Sequence, residues 1–260
     1  MRKKIDLYLI WMFMALLVTL PCVAQMAPSI GGFGELLYHR AAINGTVQWS
    51  EGNVQGSDID LDAGLGLEKT HGVSGKAGLV VLDSHEFILD FRRYETSNDT
   101  ELAASIQFGG MTLPSFFPVT PSFTFQSVGL FYGYRIINTP SLFLAIRPGI
   151  EFVDYEVGVD VDVFLIQLES PTYTGGHTVP FLWLAGETYL HPMASLAGEI
   201  SGGWQDEQTA YWGQALIKFS VHPNVAVLFG YSRAWFHDDT LDVNFEVTLS
   251  GPVIGIQAAW

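Results

Sequence analysis

Beyond its first 25 residues the chain lacks any apolar run of the roughly 20 residues that a membrane-spanning helix needs. Its longest later apolar pieces, such as VGLFYGY (128–134) and FLWLAG (181–186), are short and mixed with Gly and Tyr. There is one cysteine, Cys22, so no disulfide framework is available. Basic residues are scarce, 12 Lys and Arg against 27 Asp and Glu. That balance argues against nucleic acid, whose phosphates need Lys and Arg. No H-x-x-x-H or H-E-x-x-H spacing links the seven histidines, so no metal site and no cofactor is expected. A G-x-S-x-G elbow is also missing, which removes the usual esterase signature.

The first residues, MRKKIDLYLIWMFMALLVTLPCVAQ, have the order of a secretory signal peptide. A basic start (Arg2, Lys3, Lys4) precedes an apolar run from Leu7 to Leu20, then small residues, with cleavage expected near Ala24. A transmembrane anchor would need a longer run. A lipoprotein at Cys22 would want a small residue where Pro21 stands. Residues 25–260 then form a single domain. Without Arg2, Lys3, Lys4 and Asp6, nine basic residues face 26 acidic ones, a net charge of −17.

The chain is nevertheless 48% hydrophobic, with a mean hydropathy of +0.26. The apolar residues come in alternation. In LFLAIRPGIEF, Leu142, Leu144, Ile146, Ile150 and Phe152 share one face, and Arg147 and Glu151 lie on the other. YWGQALIKFS (211–220) and DVNFEVTLS (242–250) repeat the pattern. Period 2 is the mark of a half-buried strand, not of a helix. Four connections are tight and carry turn residues: LDSHE (82–86), NTPS (138–141), HPM (191–193) and HPN (222–224). They alternate with longer, acidic or Pro/Gly-rich ones. Short periplasmic turns alternating with longer outside loops characterise outer-membrane barrels. The expected fold is all-β: a transmembrane antiparallel up-and-down β-barrel of ten strands, with eight as the alternative count. The strands are placed at about 33–49, 58–82, 86–108, 121–138, 142–166, 178–190, 194–205, 209–221, 225–237 and 242–260.

The segments IDLDAGLGLE (59–68), GYR (133–135), GIEF (149–152) and SGPVIGIQAAW (250–260), in this order, resemble a poorly characterised group of bacterial outer-membrane β-barrel proteins. The group is broadly similar to the small OmpA- and OmpW-type barrels. The resemblance implies a Gram-negative outer membrane and a monomer surrounded by outer-membrane lipid and lipopolysaccharide. It also implies delivery to the barrel-assembly machinery through the last strand, by Ile254, Ile256 and Trp260. It carries over no catalytic residue.

The polar partners of the alternating strands are expected in the lumen: Glu35, Lys76, Asp90, Arg92, Arg135, Arg147, Glu151, Glu187, Glu199, Lys218 and Glu246. Mixed signs suggest an ion-pair network that either plugs the barrel or lines a gated pore. Tyr38, Tyr132, Tyr134, Trp183, Tyr211, Phe219, Phe229, Tyr231 and Trp260 suit an aromatic belt. FHDD (236–239) offers the one enzyme-like cluster, in which His237 with Asp238 or Asp239 would activate water. In GGMTLPSFFPVTP (109–121), Leu113, Phe116 and Phe117 are apolar at an outside position. Such a loop folds over the mouth, binds an apolar partner or packs on neighbouring loops. GSDIDLDAGLGLE (56–68) fails the EF-hand pattern at its sixth and twelfth positions, Ala63 and Lys69. Read as a strand it puts Asp58, Asp60 and Asp62 on one face, where they could hold a loosely bound cation. The expected function is a structural, adhesion or small-solute permeation role without enzymatic activity. The alternative is an outer-membrane hydrolase working at the extracellular rim.

Overall fold

The computed structural model describes residues 30–51, 54–116, 118–163, 166–167, 171–240 and 242–260. The expected signal peptide, residues 1–24, and Phe117 lie outside the described residues. Ten long strands make the molecule: β1 (Ile30–Trp49), β2 (Lys69–Val81), β3 (His85–Ser97), β4 (Pro118–Asn138), β5 (Leu142–Val163), β6 (Thr172–His191), β7 (Ala194–Gln205), β8 (Gln208–His222), β9 (Val225–Thr240) and β10 (Val243–Ala259). Each pairs antiparallel with its neighbours in sequence. β1 pairs with β2 on one edge and with β10 on the other, from Phe33↔Ala259 to Trp49↔Val243. The sheet therefore closes into a ten-stranded up-and-down barrel with no free edge.

The four tight turns stand where their residues predict, at one end of the barrel. Leu82 and Asp83 both adopt positive φ, 52° and 59°, as a two-residue primed turn demands. At the other end, the connection at 206–207 is as short as these, with Asp206 at φ 52°.

Alternation sets the wall. Leu36, Tyr38, Phe87, Leu130, Tyr132, Tyr134, Ile150, Phe152, Leu182, Leu184, Tyr211, Ile217, Phe219, Phe229, Tyr231, Ile254 and Ile256 all point outward. They form a continuous apolar band. β4 and β5 continue well past that band toward the long loops. There the outward positions turn polar: Thr120, Ser122, Thr124 and Gln126 on β4, Asp154, Glu156 and Asp160 on β5. The barrel thus has a membrane half and an outer half.

The interior changes with the exterior. Inside the band the lumen is polar. In the outer half it is a hydrophobic core in which Phe123, Phe125, Tyr155, Phe236 and Phe245 are essentially fully buried. The rings of Tyr155 and Phe245 stack at 4.6 Å, and Phe125 meets Trp212 edge-on at 5.3 Å.

Two loops complete this core, and both correct the expected strands. Residues 58–68 do not extend β2. Only Ile59–Asp60 is extended, paired with Thr46 and Val47 of β1. Asp60 then caps a turn, its Oδ1 accepting from the amides of Asp62 (2.9 Å) and Ala63 (2.8 Å). Leu61, Leu65 and Leu67 fold down into the mouth and are buried. The alternation of this stretch reports burial in a compact turn, not a strand. Residues 98–108 likewise leave β3. Ile106–Phe108 and Met111–Leu113 form a separate small hairpin. Leu102, Ile106, Phe108 and Leu113 roof the core, with Phe108 edge-on to Trp49 at 5.2 Å. Phe116, by contrast, stays outside, 77% exposed at φ 62°.

Candidate functional site

The lumen of the membrane half holds ten of the eleven residues expected there. Lys76 on β2 donates to Glu35 Oε1 (3.2 Å) and Glu199 Oε2 (2.6 Å), linking β1 to β7 across the barrel. Gln214 adds a bond to the same Glu199 oxygen at 2.7 Å. Arg92 bridges Asp90 (2.7 Å) and Glu151 (2.9 Å). Lys218 joins Glu187 (2.8 Å) and Gln257 (3.2 Å). Arg135 and Arg147 converge on Glu86, each Nε donating to a different carboxylate oxygen at 2.7 Å.

Trp183 lies under two of these cations, 4.7 Å from Lys76 and 5.0 Å from Arg147. Arg92 lies 4.6 Å from the Trp212 ring. Such contacts give a desolvated cation a favourable face. Trp183 therefore belongs to the lumen and not to the lipid belt proposed for it.

Glu86 is the main network residue that the alternation pattern leaves unnamed. It sits at the mouth of the turn at 82–84, where a glutamate reads as a solvated turn residue. Its signal was available: Glu86, Ile88 and Asp90 share one face of β3.

Glu246 departs from expectation. It faces outward in the outer half and accepts a 3.0 Å hydrogen bond from Trp235 Nε1. The rule that polar residues face the lumen holds only where lipid lies outside. Above the band the outside is water, so Phe245 and Val247 turn in and Glu246 turns out.

The FHDD cluster is divided by the wall. His237 points outward and stacks on Trp235, centroids 5.8 Å apart. Asp239 is exposed. Asp238 points inward, fully buried, and takes hydrogen bonds from His177 Nε2 at 2.8 Å and from the Tyr155 hydroxyl. The His–Asp pair of the outer half is thus His177–Asp238, brought together from β6 and β9. Burial, and then the Asp238 carboxylate it serves, push the Tyr155 hydroxyl above the usual tyrosine range. Tyr155 stands beyond the apolar band, whose last outward member on β5 is Phe152.

Asp58, Asp60 and Asp62 do not form a common strand face, because Asp60 caps its own turn. Among the described residues no three His, Cys, Asp or Glu side chains converge as metal ligands. On the tight-turn side of the network lies an open vestibule of about 470 Å³, lined in part by Glu187, Lys218, Gln257, Arg135 and Tyr189. Trp260 closes the seam there. Its backbone exchanges two 2.9 Å hydrogen bonds with Gly32, and its ring lies over the glycine where a Cβ would meet it at 2.7 Å.

No family model matches the chain, and no curated protein matches it by sequence. Solved structures do resemble it. The outer membrane protease OmpT from Escherichia coli is similar at a TM-score of 0.60 and 9% identity, covering 88% of this chain and 97% of that one. The translocator domain of the autotransporter NalP from Neisseria meningitidis is similar at 0.44 and 11% identity, over 95% and 99%. Ail, the attachment invasion locus protein of Yersinia pestis, is similar at 0.37 and 13% identity, over 88% and 99%. At these identities the likeness concerns the fold, and the fold is that of an outer-membrane barrel.

Proposed function

We propose that the chain is a closed barrel of the bacterial outer membrane that serves as a cell-surface scaffold or adhesive platform, not as a conduit. The carrying observation is the filled interior. Paired charges span the membrane half, and a packed apolar core with two loops folded into it occupies the outer half. A solute would have to break ion pairs and then cross a dry core. The same architecture carries the outward acids Asp154, Glu156 and Asp160 above the lipid and leaves Phe116 exposed. Planar-bilayer recording tests this. Folded protein, verified by heat-modifiable gel migration, should give no unit conductance steps; reproducible steps would overturn it.

A hydrolase of the outer rim is the second reading, favoured by the 2.8 Å contact of His177 with Asp238. An imidazole oriented by a carboxylate is half of an acid–base device. Here, however, Asp238 is fully buried and also bound by Tyr155, and among the described residues no nucleophile is hydrogen-bonded to the imidazole. The scaffold therefore ranks first. Hydrolysis of peptide or ester probes by the wild type that is lost in His177→Ala would reverse the order.

A further inference from the structure

Only nine Lys and Arg residues follow position 24, and five of them are inside the barrel: Lys76, Arg92, Arg135, Arg147 and Lys218. The other four, Arg40, Lys69, Arg93 and Arg233, are on the outer surface. Their placement is not scattered. Arg40 is the next outward position after Tyr38, Arg93 after Phe91 and Arg233 after Tyr231, each one step beyond the apolar band toward the outer rim. On the antiparallel β2, the outward positions run Val73, His71, Lys69 in the same direction.

Register draws these residues together. Arg40 pairs with His71, and Ala42 pairs with Lys69. Arg233 stands opposite Ser250, which stands opposite Ala42. The four cations therefore occupy one stretch of wall, β9–β10–β1–β2–β3. Its four interstrand steps span about 19 Å. At the corresponding outward positions the opposite wall carries Gln126, Asp154, Glu156, Thr178 and Thr209, without a cation.

The acids near the patch leave most of its charge available. Glu95 pairs with Arg93 at 2.8 Å, Glu246 is held by Trp235, and Glu68 is exposed beside Lys69. Arg40, Lys69 and Arg233 make no ion pair with any described residue. The patch also carries its own aromatic framework. Tyr38 stacks on His71 at 5.9 Å and hydrogen-bonds it, and Trp235 stacks on Tyr211 at 5.4 Å.

A row of cations, three of them in no ion pair with a described residue, at the outer boundary of a lipid-facing band meets one kind of neighbour, the charged head groups of the outer leaflet. Arg forks and a Lys point charge suit phosphate oxygens, and the aromatics below suit the start of the acyl chains. We infer that this wall is a binding site for the phosphates of an outer-leaflet glycolipid, engaged by Arg40, Lys69 and Arg233, with Arg93 held beside them by Glu95. The width of the row fits a head group with more than one phosphate, not a single small anion. The inference rests on the outer-membrane placement proposed above and is independent of whether the barrel conducts.

The mature chain can be placed in nanodiscs of phosphatidylcholine, alone or doped with diphosphoryl lipid A, with dephosphorylated lipid A or with phosphatidylglycerol. Diphosphoryl lipid A should raise the unfolding temperature by about 2–4 °C, the shift expected for one such contact in a chain of this size. The other two dopants should have little effect. The triple variant Arg40→Gln, Lys69→Gln, Arg233→Gln should match the wild type in pure phosphatidylcholine and lose the increment. An increment kept by the triple variant, or equalled by phosphatidylglycerol or the dephosphorylated lipid, overturns the site. Failure of the wild type to insert into any of the discs would overturn the membrane placement as well.

Discussion

Glu86 shows how much one side chain can hold. It is fully buried and binds two arginines, Arg135 and Arg147, through separate oxygens. Removing one member of a buried ionic group strands the partners in a medium of low polarizability. Glu86→Ala should therefore destabilise the folded barrel by about 3–5 kcal/mol. Glu95→Ala breaks an ion pair of similar length on the exposed wall and should cost under about 1 kcal/mol. Urea unfolding in the same vesicles compares the two directly; equal losses would refute the special position of Glu86. Tyr155 gives a pH signature at the same scale. Its hydroxyl titrates higher in the folded chain than in the unfolded one, so the folded state keeps a proton that the unfolded state releases. Its contribution is complete below the ordinary tyrosine range and declines as pH rises above about 10. In Tyr155→Phe the loss of stability between neutral pH and pH 11 should be shallower than in the wild type. An unchanged slope would mean that Tyr155 is not a source of that loss.

The elements divide into those whose period reports their surroundings truthfully and those where it misleads. Ten strands and four tight turns are legible because closure leaves each strand one inward and one outward face, and because the turns need Pro, Asn, Asp and Ser. The stretch 58–68 is not legible in the same way. Ile59, Leu61, Leu65 and Leu67 are buried as an alternating strand would bury them, yet Asp60 turns the chain so that they plug the mouth. Period 2 records which side chains avoid water and says nothing of whether the backbone between them is extended. Glu246 fails for a related reason: the polar side of a strand is the lumen beside lipid and the exterior beside water. The pairing of His177 with Asp238 was hidden more deeply, since β6 and β9 are not neighbours and meet only across the closed barrel. The capped turn can be tested as a unit. Asp60→Ala removes two capping hydrogen bonds and should cost about 1 kcal/mol, whereas Leu65→Ala empties a core position and should cost about 2–5 kcal/mol. Calcium should leave the stability of the wild type unchanged in the same titration. A calcium-dependent rise abolished by Asp60→Ala would show instead that the aspartates serve a cation.

At the scale of the whole molecule, two solvents act on one continuous sheet. In the membrane half the apolar side chains already face hydrocarbon, and moving them between lipid and protein brings little gain. Stability there has to come from the closed hydrogen-bond ladder and from the paired lumen charges. In the outer half the exterior is water, and the barrel is held as a soluble protein is, by burial of Phe123, Phe125, Phe236, Phe245 and the loop leucines. The same class of substitution should therefore have different consequences on the two sides of the boundary along a single strand. Phe245→Ala, in the outer core of β10, should cost about 3–5 kcal/mol. Ile256→Ala, on the lipid face of the same strand, should cost clearly less, because the vacated space is refilled by acyl chains. Unfolding both variants from the same vesicles in urea provides the comparison. If Ile256→Ala were as damaging as Phe245→Ala, the outward face of β10 would have to pack against protein and not lipid, and the boundary between the two halves would have to be redrawn.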